Sequence, residues 1–215
     1  MKRLVSVLLL MAMLLAGCSS APKPVAKASG DYFTVYSGEL TTINYLVTAT
    51  TGEAGAAANC VDGLVEYDNL GVLKPALAES WQVSPDGLTW TFKIRKGVKW
   101  VTWEGKEYAD VVAQDWVDAL RYIFDANNAS RVVNFAFLAV KNGEACFKGD
   151  ITDFNEVGVK ALDKYTLQYT LKAPTPYFLT MLTWVSFYPV NGKFLSEAGD
   201  KFGSTHKDFL YNGAY

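Results

Sequence analysis

The stretch that most constrains this chain is residues 76–100, ALAESWQVSPDGLTWTFKIRKGVKW. Leu88, Trp90, Phe92 and Ile94 recur at every second position, with Thr89, Thr91, Lys93 and Arg95 between them. A strand points successive side chains to opposite faces, so this pattern predicts one strand with a wide apolar face. Ahead of it, Ser84-Pro85-Asp86-Gly87 carries turn chemistry. Proline presets φ, aspartate bonds its own backbone, and glycine accepts positive φ. Trp81 and Val83, alternating with Gln82, read as the partner strand. On periodicity alone this is an amphipathic hairpin around which a sheet is built.

Such a face needs a large partner surface, and the composition supplies it. Half of the 215 residues are hydrophobic and 20% are charged, which predicts a packed core rather than disorder. The length fits one large or two small domains. The formal charge is −2, and without Lys2 and Arg3 it becomes −4, from 18 basic against 22 acidic residues. With no cationic surplus to neutralise phosphates, no nucleic-acid partner is expected. The six Trp and twelve Tyr fill cores first, and they also suit pockets for peptides or sugars.

The N-terminus speaks to compartment. Lys2 and Arg3 precede an apolar run of about twelve residues, too short for a comfortable membrane span and suited to a signal peptide. Leu15-Ala16-Gly17-Cys18 then looks like a bacterial lipobox, in which Cys18 takes the lipid. Residues 1–17 are therefore expected to be a lipoprotein signal peptide. Residues 18–30, small and Pro- and Lys-containing, read as the lipidated Cys and a flexible tether, and 31–215 as the folded part. Ser19 after the lipid site is no inner-membrane retention signal, and a one- or two-membrane host stays open. Cys60 and Cys146 are left either as two buried thiols or as a disulfide. No CxxC or His/Cys cluster is present, so neither a metal nor a cofactor is expected.

Along the chain, residues 32–36 are a strand candidate, 39–51 an ordered loop, 53–61 a short alanine-rich helix, and 64–67 a strand ended by Asp68-Asn69-Leu70-Gly71. Val98-Lys99-Trp100 resumes as a strand. Residues 115–124 carry a helical apolar face, with Asp115 and Arg121 complementing the macrodipole. Residues 129–139 and 143–147 are further helix candidates. Residues 157–160 and 166–172 form a second hairpin with Leu167, Tyr169 and Leu171 on one face. Short helices follow from Pro176 through Thr183 and over 193–198, the latter stopped by Gly199. Strands and helices mix without strict βαβ alternation, so the class is α/β in the mixed α+β sense.

Several segments in order are similar to a known family. Pro75-Ala76-Leu77-Ala78-Glu79-Ser80-Trp81, then Asp86-Gly87-Leu88-Thr89-Trp90-Thr91-Phe92, then Ile94-Arg95-Lys96-Gly97-Val98-Lys99-Trp100 resemble the signature of family-5 solute-binding proteins, the oligopeptide- and dipeptide-binding lipoproteins of ABC importers. Asp62-Gly63-Leu64, Ala113-Gln114-Asp115-Trp116-Val117, residues 158–163 with Thr166-Leu167, and Asn212-Gly213-Ala214-Tyr215 agree. The resemblance implies a periplasmic-binding-protein-like type II fold, of which these residues supply the first lobe and adjoining subdomain, with the second lobe absent. Val112 stands where relatives often carry a capping Thr, which implies one missing N-cap bond, worth about 1 kcal/mol.

The same resemblance implies a non-catalytic mechanism in which two lobes close on an extended peptide and the closed form is read by the permease. It places ligand contacts at Ala49, Thr50 and Thr51, with Glu53 as a substitute for an acidic group that relatives carry there. A second contact falls near Val132, which has no hydrogen bond to offer. A plain surface loop is the alternative for Thr50 and Thr51. The implied partners are a peptide ligand, ABC permease subunits, and the membrane through the lipid anchor. Some family members take oligosaccharides or nickel instead, and a surface enzyme or adhesin is a further alternative. For an enzyme there is only His206, and no Gly-x-Ser-x-Gly elbow. The acidic pairs Asp62/Glu66 and Asp115/Asp118 read as solvated faces.

Overall fold

A computed structural model describes residues 39–213. The strand candidate at 32–36, the tether, Cys18 and the signal segment lie outside the described residues. The core sheet grows from the central hairpin. Strands β1 (Val65–Tyr67) and β2 (Leu73–Pro75) pair with each other, and β5 (Lys99–Val101) pairs with β6 (Glu107–Asp110). Between them, β3 (Ala78–Val83), β4 (Thr89–Ile94), β7 (Val159–Asp163) and β8 (Thr166–Thr170) form an antiparallel sheet in the order β3-β4-β8-β7.

The turn between β3 and β4 works as its residues predict. Gly87 takes φ +71°, its N–H donates to the Ser84 carbonyl at 2.8 Å, and Asp86 accepts the Leu88 amide at 3.0 Å. The two hairpins then join: β4 pairs with β8 so that Trp90 faces Tyr169 and Phe92 faces Leu167. Trp90, Phe92, Ile94, Leu167, Tyr169 and Leu171 are all buried on the shared face. Phe178 caps it, with ring centroids 5.4 Å from both Trp90 and Tyr169. Each buried aromatic contributes roughly 1.5–3 kcal/mol by leaving water. Val83, at the end of edge strand β3, stays exposed.

Among the described residues, six α-helices surround the strands: α1 (Thr51–Cys60), α2 (Gln114–Ile123), α3 (Val133–Ala139), α4 (Gly143–Lys148), α5 (Phe178–Met181) and α6 (Gly192–Ala198). Two depart from expectation. The helix foreseen over 129–139 starts only at Val133, because Asp125 caps a 3-10 turn (Ala126–Asn128) that ends in left-handed Ala129, φ +48°. The helix foreseen through Thr183 shortens to α5. The β5–β6 pair was not anticipated: β6 has no alternating apolar residues and is held by Lys99, which meets Asp110 at 2.7 Å and Glu107 at 3.5 Å. Cys60 and Cys146 are free and half-buried. No described helix is long and apolar enough to cross a membrane.

Helix α2 corrects the reading of Asp115 as solvated. Its N-cap position, Ala113, makes no side-chain bond, as Val112 in place of Thr implied. Instead Asp115, 3% exposed, reaches back. Its Oδ2 accepts the Val112 amide at 2.9 Å and Trp100 Nε1 at 2.8 Å. These bonds tie α2 to β5, and no cation forms an ion pair with Asp115 among the described residues. Burial pushes the carboxyl up to about 7, against the pull of the two hydrogen bonds.

A raised acid binds a proton in the folded state that the unfolded chain has released. Stability therefore falls as pH rises from 3.8 to about 7 and levels off above. Asp115→Asn keeps both bonds through its amide oxygen and removes the ionisation. Chemical denaturation across this range should show a shallower decline for Asp115→Asn than for the native chain, with the variant at least as stable at pH 7.5. An unchanged pH slope would contradict the assignment.

Candidate functional site

The stretch that the sequence puts nearest a ligand is built by one carboxylate. Thr50 is the N-cap of α1, and its hydroxyl faces the Glu53 amide at 3.4 Å. Glu53, in the first turn, turns back into the loop at residues 41–50. Its Oε1 accepts the Thr41 hydroxyl at 2.5 Å, the Thr41 amide at 3.1 Å and the Thr42 amide at 3.2 Å. Its Oε2 accepts the Thr50 hydroxyl at 2.6 Å and also the Thr48 hydroxyl. The threonines of this loop are thus a donor set for one buried anion. The hydroxyls of Thr41, Thr48 and Thr50 hold the Glu53 carboxyl down to about 2, outweighing desolvation.

Glu53 is 5% exposed. It is among the residues lining the cleft beside this loop, with its oxygens bonded by the loop's donors, and the group sets the loop's shape. Ala49, Thr50 and Thr51 are exposed at the rim. Against them comes a second segment. Ser130 Oγ donates to the Leu46 carbonyl at 2.6 Å, and the Arg131 amide to the Val47 carbonyl at 3.1 Å. Between the segments lies an open cleft of about 360 Å³, lined among others by Thr41, Thr48, Thr50, Asn128 and Arg131.

The two stretches picked out in the sequence therefore meet in space, some eighty positions apart in the chain. Val132 itself is a second correction. It is fully buried, and its carbonyl accepts Ser186 Oγ at 3.2 Å. The side chain belongs to the apolar face that includes Val133 and Ala136, so it offers nothing to the cleft. The exposed residue at that place is Arg131, which sequence reading passed over. An arginine standing beside the Val132-Val133 pair was the available signal.

Elsewhere the chemistry is sparse. His206 packs edge-on against Trp103, centroids 5.3 Å apart, with Lys207 Nζ 5.2 Å from the same ring. Among the described residues no group of three or more His, Cys, Asp or Glu is placed to hold a metal. A larger groove of about 480 Å³ runs between α2 and α6 past Asp118, Arg121 and Asp200, but it holds none of the anticipated contact residues.

Glu53 makes a stability prediction of opposite sign to Asp115. A depressed carboxyl stabilises the fold above its ordinary value of 4.5, and the contribution is lost as pH falls toward 2. Glu53→Gln should be less stable at pH 7 by on the order of 2 kcal/mol, the worth of bonds to an ionised acceptor. By pH 2 the two proteins should unfold alike. A constant gap from pH 7 to pH 2 would show that lost packing, not charge, is responsible.

Comparison with known proteins completes the picture. The profile described as "Bacterial extracellular solute-binding proteins, family 5 Middle" matches residues 72–215. The chain is 43% identical over 209 residues to the oligopeptide-binding protein AmiA of Streptococcus pneumoniae, covering 96% of this chain and 31% of AmiA. Among solved structures, the substrate-binding domain of a Bacillus anthracis oligopeptide ABC transporter superposes with a TM-score of 0.77 at 36% identity, over 84% of this chain and 33% of that one. Listeria monocytogenes OppA bound to peptide gives 0.76 at 30% identity, over 83% and 34%. The chain thus spans about a third of the length of these relatives, and its mixed α/β fold is theirs. On the profile match and these likenesses, the chain belongs to the bacterial extracellular solute-binding proteins of family 5.

Proposed function

We propose that this chain forms one wall of a peptide-binding cleft in an extracytoplasmic lipoprotein that hands oligopeptides to an ABC permease. The observation that carries the reading is the meeting of residues 41–53 with residues 128–131 across one open cleft. The Arg131 amide donates to the Val47 carbonyl to join them, and Ala49, Thr50 and Thr51 are exposed. An extended peptide lying there would bond exposed backbone groups, as an added strand does, while its side chains enter hydrated space. The names of AmiA and OppA support the ligand class. No covalent chemistry enters this reading.

A polar, open wall recognises the main chain more than any one side chain, so affinity depends on a second surface closing over the peptide. Residues 19–215 alone are expected to bind peptides only in the millimolar range by calorimetry. Micromolar affinity would contradict the two-walled reading. We further propose that Cys18 carries the lipid that holds the protein at the membrane, with residues 1–17 as its signal peptide. On fractionation, Cys18→Ala should move the protein from the membrane pellet to the soluble fraction. Retention in the pellet would sink the anchor assignment.

A further inference from the structure

What the cleft can recognise depends on which of its side-chain donors are already spent. A hydroxyl has one hydrogen to donate. Those of Thr41, Thr48 and Thr50 go to the Glu53 carboxylate, and that of Thr42 goes to the Gly203 carbonyl at 3.2 Å. Asn128 Nδ2 donates to the Tyr122 carbonyl at 2.8 Å, which leaves its amide one hydrogen. Arg131 completes the polar lining and is its one cation. Its guanidinium carries five N–H groups, and none of the hydrogen bonds that fill the cleft comes from it. Nor does it form an ion pair among the described residues. The threonines have thus spent their hydrogens inside the wall, and the unspent donors belong mainly to one exposed arginine.

The backbone that carries this guanidinium is held in place. Arg131 lies in the bend between the 3-10 turn Ala126–Asn128 and α3. The Arg131 amide donates to the Val47 carbonyl at 3.1 Å, and Ser130 Oγ to the Leu46 carbonyl at 2.6 Å. The bend is therefore tied to the same loop that Glu53 shapes. A guanidinium stays charged throughout the working pH range, and its planar fork meets a carboxylate through two parallel bonds. We propose that Arg131 is the anion-recognising residue of the cleft and selects peptides that present a carboxylate, from an acidic side chain or from the C-terminus.

This selection rests on the peptide reading of the cleft. Glu53, the acid of the lining, is 5% exposed and accepts five bonds from the loop, so it makes no counter-charge for a ligand cation. A basic side chain entering the cleft would meet like charge at Arg131, whereas a carboxylate meets a fork of unspent donors. Because the cleft is open, the pair keeps contact with water, and its worth stays at the upper end of exposed ion pairs, about fivefold in affinity.

The test is an NMR titration of the 215-residue chain, in which millimolar binding is readable. The probes are Ala-Glu-Ala-Leu-Ala and Ala-Gln-Ala-Leu-Ala, each with a free and with an amidated C-terminus. At about 0.01 M salt, amidated Ala-Gln-Ala-Leu-Ala, which has no carboxylate, should bind about fivefold more weakly than free Ala-Glu-Ala-Leu-Ala. Of the two peptides with one carboxylate, the one that keeps the tighter affinity names the source, and both keep it if either carboxylate serves. At about 1 M salt the Debye length falls from about 30 Å to about 3 Å, and the preference should shrink to below roughly twofold. In Arg131→Gln the four peptides should bind alike, as weakly as the native chain binds the uncharged one. Arg131→Lys keeps the charge without the fork and should keep part of the preference. Equal binding of the four peptides by the native chain overturns the selection and leaves the peptide cleft standing, and this arm needs no variant. A preference that survives in Arg131→Gln does the same. Binding of none of them overturns both the selection and the peptide reading.

Discussion

The Glu53 carboxylate is the interaction on which the candidate site depends. A buried anion without a cation costs several kcal/mol unless donors surround it. Here three threonine hydroxyls and two loop amides do so, all from residues 41–50. The result is a loop without regular structure that nevertheless has one shape. Only because that loop is held can Val47 and Leu46 present their carbonyls to Arg131 and Ser130. The cleft wall is a consequence of an internal charge, and the rim residues are what remains outside it.

A second buried acid plays the contrasting part. Asp115 has only two donors on one oxygen and none to match Glu53's set, so burial drives it toward neutrality rather than toward ionisation. The two acids sit in the first turns of α1 and α2, where either would stabilise the helix dipole. What separates them is the number of hydrogens aimed at the carboxylate. Glu53 organises a loop that faces solvent, whereas Asp115 ties a helix to β5 within the frame.

The frame was legible because its signals are local. Period-two apolar runs at 88–94 and 167–171, with turn residues at fixed offsets, carry their own register, and the two strands pair as neighbours. The site was legible only in part. The resemblance led to Thr50, Thr51 and the neighbourhood of Val132, and those segments do converge. Which side chain points where depends on contacts many positions away, and single positions carry no trace of them. Glu53 turns inward because four of the five threonines in the twelve residues before it donate to its carboxylate. Val132, the cap residue of α3, is buried with Val133 and Ala136. The β5–β6 pair escaped for a related reason, being held by Lys99 and its two acids rather than by an apolar stripe.

The central claim is that the wall shaped by Glu53 is where a peptide lies. Amide hydrogen exchange with and without millimolar Ala-Glu-Ala-Leu-Ala measures this along the whole backbone. The account predicts slower exchange on peptide addition at residues 41–51 and 128–135, with the β3-β4-β8-β7 sheet unchanged. Protection confined to the α2–α6 groove, or to none of these segments, would contradict it.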